Sequence, residues 1–342
     1  MRKTLLLGLV MGLFLSVNAV TLTKVAYVTL TKTMDATATT VDNDPIIQVL
    51  KADANLSVTV KQITAGATIS DLADYDVIIV QESNGGGDAQ LKPAGSLALK
   101  SIPKPFIYNK MYALQKTRAL SSTTSTAAGK EADGTANAAL TITVEASALT
   151  HDLFKACTFE NTNQIKLFNA LTNDAGVIAG SDGKSVKAIN YNSGVTVTGG
   201  VLLAQPTTLA TGFPCTIGIN TIPAGTTFEG TETTMANAIF VGMNFGAISA
   251  DAGKNITDNA LTIWRNAVYI LAGLPVPSTK ATLPSTAVKP IDATATVKSV
   301  EYFTVNGLKV KTPSNGVYVK RTTFENGAVK LDKMVLAEPM MK

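Results

Sequence analysis

Asp76-Val77-Ile78-Ile79-Val80-Gln81 places four branched aliphatic residues in a row between polar ones. A run that is apolar at every position, not at alternate ones, belongs to a strand covered on both faces. That feature commits the chain to a sheet held between two layers. Residues 24–29 form a short β-branched run that reads as a buried first strand, and 105–109 read as a later strand. Between them, Asp44-Pro45 reads as a helix start, with Asp as N-cap and Pro at the first position. Ile46, Ile47, Val49 and Leu50 give that helix its apolar face, and residues 56–63 alternate as a further strand. Residues 88–100 read as a second helix. Strands and helices at these intervals predict an α/β fold, an open, mostly parallel sheet of the doubly wound, flavodoxin-like kind.

The rest of the chain divides by composition. Residues 121–137 are rich in Ser, Thr, Ala and Gly and read as a long surface excursion. Residues 139–144 resume as a strand, and Thr150-His151-Asp152-Leu153-Phe154 looks like a helix start. From 176 to 222, short β-branched runs at 186–191, 195–204 and 215–219 alternate with Gly-rich turns, which predicts antiparallel or mixed structure. Residues 237–243 are a late apolar strand. Thr257 to Ala260 then cap a strong helix over 260–272, with Leu261, Trp264, Val268 and Leu271 on one face; Gly273 closes it and Pro275 forbids extension. Residues 275–298 are Pro/Thr-rich and read as a linker. Beyond it, alternating runs separated by Asn306-Gly307, Asn315-Gly316 and Asn326-Gly327 predict a β-meander of about four short strands. The expected organisation is a leader over 1–19, an α/β domain over 20–274, a linker over 275–298 and a small all-β module over 299–342.

The leader sets the address. Arg2-Lys3 is a basic start, Leu5 to Leu15 is uncharged and apolar, and Val17 and Ala19 are the small residues a signal peptidase accepts. The alternative is an N-terminal membrane anchor, for which the apolar run is short. No later stretch reaches the length of a membrane span, so none is expected in the mature chain. The formal charge is +4, and losing Arg2 and Lys3 leaves about +2 with no basic patch. Nucleic acid is therefore not an expected partner.

Candidate chemistry is sparse. One His and two Cys exclude multi-His metal sites and Cys-rich zinc modules. No metal and no cofactor are expected. Cys157 and Cys215 read as separate buried thiols, the alternative being a disulfide in an oxidising compartment. The most site-like stretch is Glu82-Ser83-Asn84-Gly85-Gly86-Gly87-Asp88, which follows a central strand where open α/β sheets bind ligands. Its bland alternative is a flexible turn with Asp88 as N-cap. His151 could act as a base or a ligand contact, although a lone His is more often structural. A pocket uniting Glu82, Asn84, Gly85, Gly86, Asn109, His151 and Asn244 is the candidate ligand site. No catalytic residue is assigned.

Two stretches resemble known families. The strand over 76–82 ending in Ser83-Asn84-Gly85, the segment 238–246, and the helix carrying Arg265-Asn266 and ending in Leu271-Ala272-Gly273 resemble the class I glutamine-amidotransferase-like fold, in its ThuA-like branch. Glutaminase activity in that fold needs a Cys on a sharp strand-to-helix turn with His and Glu partners. Here the corresponding turn, Asn109-Lys110-Met111-Tyr112, holds no Cys. The second stretch comprises 302–310, 313–319, Gly327 and Val329-Lys330. It looks like the end of a type IX secretion sorting domain of the Bacteroidota. Together these imply an exported, extracellular or outer-membrane surface protein, periplasmic where the tail does not sort, with the secretion machinery as a partner. The expected function is non-enzymatic binding. The alternative is a secreted ThuA-like enzyme acting on carbohydrate or another small polar ligand.

Overall fold

The computed structural model describes residues 21–30, 44–63, 68–83, 88–114, 139–172, 178, 188–228, 232–284, 296–314, 316–325 and 329–336. The leader over 1–19 and the polar excursion over 121–137 lie outside these. The chain divides into two compact units, Met1–Leu283 and Pro284–Lys342.

In the first unit the elements run β1 (Thr23–Leu30), α1 (Pro45–Ala52), β2 (Leu56–Ile63), β3 (Val77–Val80), β4 (Phe106–Tyr108), β5 (Thr141–Val144) and β6 (Gln164–Lys166). There follow β7 (Val197–Thr198), β8 (Val201–Pro206), β9 (Ile219–Ile222), β10 (Thr227–Phe228), β11 (Glu232–Thr233), β12 (Ala238–Val241), α2 (Phe245–Ser249) and α3 (Asp258–Leu271). Nine strands form one sheet in the order β2-β1-β3-β4-β12-β9-β8-β5-β6. The first five are mutually parallel. From β12 onward every pairing is antiparallel. The sheet is thus mixed, with a parallel half and an antiparallel half. A separate three-stranded sheet, β11-β10-β7, was not legible in the sequence.

Each central strand feeds two cores, as a run apolar at every position requires. Val25, Tyr27, Ile79, Ile107 and Ile239 enter one core with Ile46, Leu50 and Trp264 of α1 and α3. Ala26, Val28, Ile78, Val80, Phe106, Tyr108 and Phe240 enter the other. The α1 start is as predicted: Asp44 Oδ1 accepts from Ile46 N at 2.9 Å, and Pro45 opens the helix. At α3, Thr257 Oγ1 accepts from Ala260 N at 3.3 Å. Gly273 closes the helix at φ +69°, a conformation that glycine adopts without a Cβ clash. Trp264 is fully buried, with Nε1 3.2 Å from Met243 Sδ.

Four expectations are corrected. Residues 88–100 do not form a helix. A single 3₁₀ turn, Ala89–Leu91, is followed by irregular turns. Pro93 lacks the N–H that a helix needs, and at Gly95 an added Cβ would stand 2.1 Å from the Gln90 carbonyl oxygen. The segment still buries Leu91, Leu97, Leu99 and Ile102. Among the described residues, then, α-helices cover only one face of the sheet, and turns with the small sheet cover the other. The run at 215–219 pairs later than expected, as β9, and the described part of the 186–191 run, residues 188–191, contributes a bridge from Ile189 to Met243 and no strand. The predicted linker is not free at its start. Lys155 Nζ donates to the Val276 carbonyl at 2.8 Å, Ala281 N donates to Thr262 Oγ1 at 2.9 Å, and Val276 and Ala281 are buried.

The second unit is an antiparallel sheet of β13 (Val297–Thr304), β14 (Lys309–Val310), β15 (Gly316–Phe324) and β16 (Val329–Leu336). The four strands and the Asn306-Gly307 turn are as predicted, Gly307 taking φ +81°. The order, β14-β13-β15-β16, is not a simple meander, because β13 sits between its successor and β15. Asn315 and Asn326-Gly327 lie outside the described residues.

Candidate functional site

The parallel half ends in a row of polar residues at the C-terminal tips of its strands. Strand order reverses between β1 and β3, where such sheets open a crevice. Tyr27 and Thr29 come from β1. Gln81, Glu82 and Ser83 follow β3, Asn109 and Lys110 follow β4, and Asn244 follows β12 as the N-cap of α2. These groups bond chiefly to each other.

One chain of hydrogen bonds crosses the tips. Met243 N donates to Asn109 Oδ1 at 2.9 Å, and Asn109 Nδ2 donates to Gln81 Oε1 at 2.6 Å. Gln81 Nε2 donates to the Tyr27 hydroxyl at 2.5 Å, and that hydroxyl donates to Asp44 Oδ2 at 2.6 Å. Every donor points toward Asp44, so the bonds polarise one another in one direction. Asp44 is buried, and burial pushes its carboxyl up from 3.8 to about 6 against the lowering effect of the Tyr27 bond. Burial, with the Asp44 charge second, pushes the Tyr27 phenol well above its usual value.

Beside this chain lies a buried ion pair. Lys110 Nζ is 3.0 Å from Glu82 Oε1 and donates to the Glu82 carbonyl at 2.9 Å. The other carboxylate oxygen, Oε2, accepts from Phe245 N at 2.9 Å. Thr29 Oγ1 and Ser83 Oγ lie 2.8 Å apart. Asn244 Oδ1 accepts from Ala247 N at 3.2 Å.

Of the candidate site residues, Glu82, Asn109 and Asn244 are therefore brought to one edge. Asn84, Gly85 and Gly86 lie outside the described residues. Asp88 is the N-cap that the bland reading of that turn called for, accepting from Gln90 N at 2.9 Å. His151 is placed elsewhere. Its Nδ1 accepts from Leu153 N at 3.1 Å, capping a turn whose carbonyls bond Asn266 of α3, and its ring packs on Phe154. Burial pushes its pKa down. The reason is local: a ring nitrogen two residues before a free N–H caps a turn as an Asp would.

Sequence reasoning missed Gln81, Lys110 and Tyr27. The available signal was positional, since Gln81 directly follows β3 and Lys110 stands two residues after β4. Both cysteines are free thiols, and burial pushes each up to about 12, where the nucleophilic thiolate is scarce. Among the described residues no group of three or more His, Cys, Asp or Glu could hold a metal ion, and no helix is long and apolar enough to cross a membrane. A groove of about 330 Å³ lies away from the polar tips, where Ile222, Asn237 and Ala238 meet Ile270 and Leu271 at the end of α3. No protein-family model matches the chain, and no curated protein matches it in sequence.

Proposed function

We propose that the chain is an exported surface protein of a Bacteroidota-like bacterium. Its large domain is a non-enzymatic binding module of flavodoxin-like, amidotransferase-like descent, and its small β unit is a sorting or attachment tail. The parallel order β2-β1-β3-β4-β12 supports the descent, because it is the order of flavodoxin-like sheets. The observation that carries the non-enzymatic reading is the pairing at the strand tips. Where an α/β enzyme holds reactive groups toward substrate, Glu82 is bonded to Lys110 and Phe245 N, and Asn109 to Gln81 and Met243 N. A general acid or base must reach the proton it moves, and these groups are turned inward. The high-lying thiols support the same reading.

The tail assignment rests on the sequence resemblance and on the exposure of the β unit. Val305 and Leu308 are each 69% exposed, and Thr322 is its only buried residue among those described. Among the described residues such a sheet buries little, which suits a module that is recognised by other molecules. The test is delivery in the native bacterium, with the full chain and with a chain lacking 299–342, read by surface biotinylation and N-terminal sequencing. The full chain is expected at the surface with Val20 as its first residue, and the truncated chain in the periplasm. Surface delivery without the tail removes the sorting role.

A further inference from the structure

The nine-stranded sheet ends on β2, a long strand with an open side. β2 pairs with β1 in one unbroken parallel register, from Thr23 with Leu56 to Leu30 with Ile63. Among the described residues no strand lies on its other side. Backbone groups alternate between the two sides of a strand. Thr23 N donates to the Asn55 carbonyl at 2.9 Å, so the odd-numbered residues of β2 turn their N–H and C=O toward β1. The even-numbered residues turn theirs outward. Leu56 N is used by the Asp53 carbonyl at 3.2 Å. Val58, Val60 and Gln62 each keep an outward N–H and C=O, and among the described residues nothing bonds them.

A long open edge is a template for another strand, and proteins blunt such edges with Pro, bulges, charges or a cover. β2 has no Pro and no bulge. Its one charged residue, Lys61, is bonded to Asp71 of the same chain. By contrast β16, an edge of the second unit, carries Lys330, Asp332 and Lys333. Ser57, Thr59 and Gln62 are exposed, and Val58 and Val60 are half-buried against the core under α1.

The strand is also complementary to itself. Set a second β2 antiparallel to the first, with a two-fold axis at Val60. Val60 then exchanges two hydrogen bonds with its own copy, and Val58 exchanges two with Gln62 on either side. Every outward N–H and C=O of the three residues is bonded. Neither neighbouring register does this. An axis at Thr59 sets Gln62 against Leu56, whose N–H is taken. An axis at Lys61 carries Val58 past Ile63, where the strand ends. With the axis at Val60, valine faces valine and Lys61 faces Thr59, so like charges do not meet.

We propose that β2 is a dimerisation edge, through which two copies of the chain join antiparallel about Val60 into one continuous sheet.

The test is sedimentation equilibrium of the purified chain, with Gln62→Pro and Thr59→Lys alongside. Both positions are exposed. Proline at 62 removes an outward N–H and spares the β1 ladder. Lysine at 59 stands opposite Lys61 of the second copy. The wild type is expected to form a dimer that dissociates on dilution. Each variant is expected to raise the dissociation constant at least about tenfold with circular dichroism unchanged. Hydrogen exchange should protect the Val58, Val60 and Gln62 amides in the dimer and expose them in Thr59→Lys, while the Lys61 amide stays protected in both. If Gln62→Pro does not fold, Thr59→Lys carries the comparison. A chain that is monomeric at every concentration overturns the proposal, as does a dimer that both variants leave intact. Slow exchange of the three outward amides in a monomer also overturns it, because the edge is then covered within the chain.

Discussion

Asp44→Asn changes one buried atom and should change how stability depends on pH. Asp44 caps α1 through Ile46 N, receives the Tyr27 hydroxyl, and is buried. Burial lifts its pKa from 3.8 to about 6, so the folded state binds this proton more tightly than the unfolded chain does. Its contribution to stability is therefore fully present below pH 3.8 and is lost as pH rises through about 6. The difference between those two values corresponds to about 3 kcal/mol. Asparagine keeps an acceptor for the helix N–H groups and has no proton to titrate. Urea unfolding of both proteins at several values between pH 7.5 and 4 isolates the effect, because other titrating groups cancel in the comparison. The wild type should gain up to about 3 kcal/mol on Asp44→Asn as pH falls across that range. A flat difference refutes the reasoning. So does a wild type that loses ground on acidification, since that would mean a carboxyl held below its ordinary range.

Two further outcomes follow from packing at the same edge and beneath it. Trp264→Ala should lose about 3–5 kcal/mol in chemical denaturation, because the indole is fully buried; a loss under 1 kcal/mol would place the ring in solvent. Lys110→Met should lose about 3–5 kcal/mol by leaving the Glu82 carboxylate buried and unpaired. Glu82→Gln/Lys110→Met should recover part of that loss, and a double variant no more stable than Lys110→Met alone would show that the pair is not coupled.

The parallel half of the sheet was legible because its signals are local. Runs apolar at every position, an Asp-Pro start and a Gly stop each act within a few residues, and β1, β3, β4, α1 and α3 stand where those signals put them. The 88–100 segment misled because its leucines mimic a helical face, while Pro93 and the close approach at Gly95 exclude the helix. The antiparallel half was blurred because short Thr- and Gly-rich strands take their register from partners far away in sequence, as β5 does from β8. At the candidate site, Glu82, Asn109 and Asn244 were legible as polar residues ending strands. Their bonding to Gln81, Lys110 and Tyr27 was not, because it depends on which strand tips become neighbours. His151 stood out only for its rarity, and rarity says nothing about where a side chain is used.

We propose that the polar groups at the strand tips hold the fold together and do no chemistry. Hydrolysis of glutamine and of simple glycosides by the purified chain, with Glu82→Gln and Cys157→Ser alongside, tests this. No turnover above buffer is expected for any of the three proteins, with Glu82→Gln altering the melting temperature alone. Turnover by the wild type that either substitution abolishes in a folded protein would contradict it.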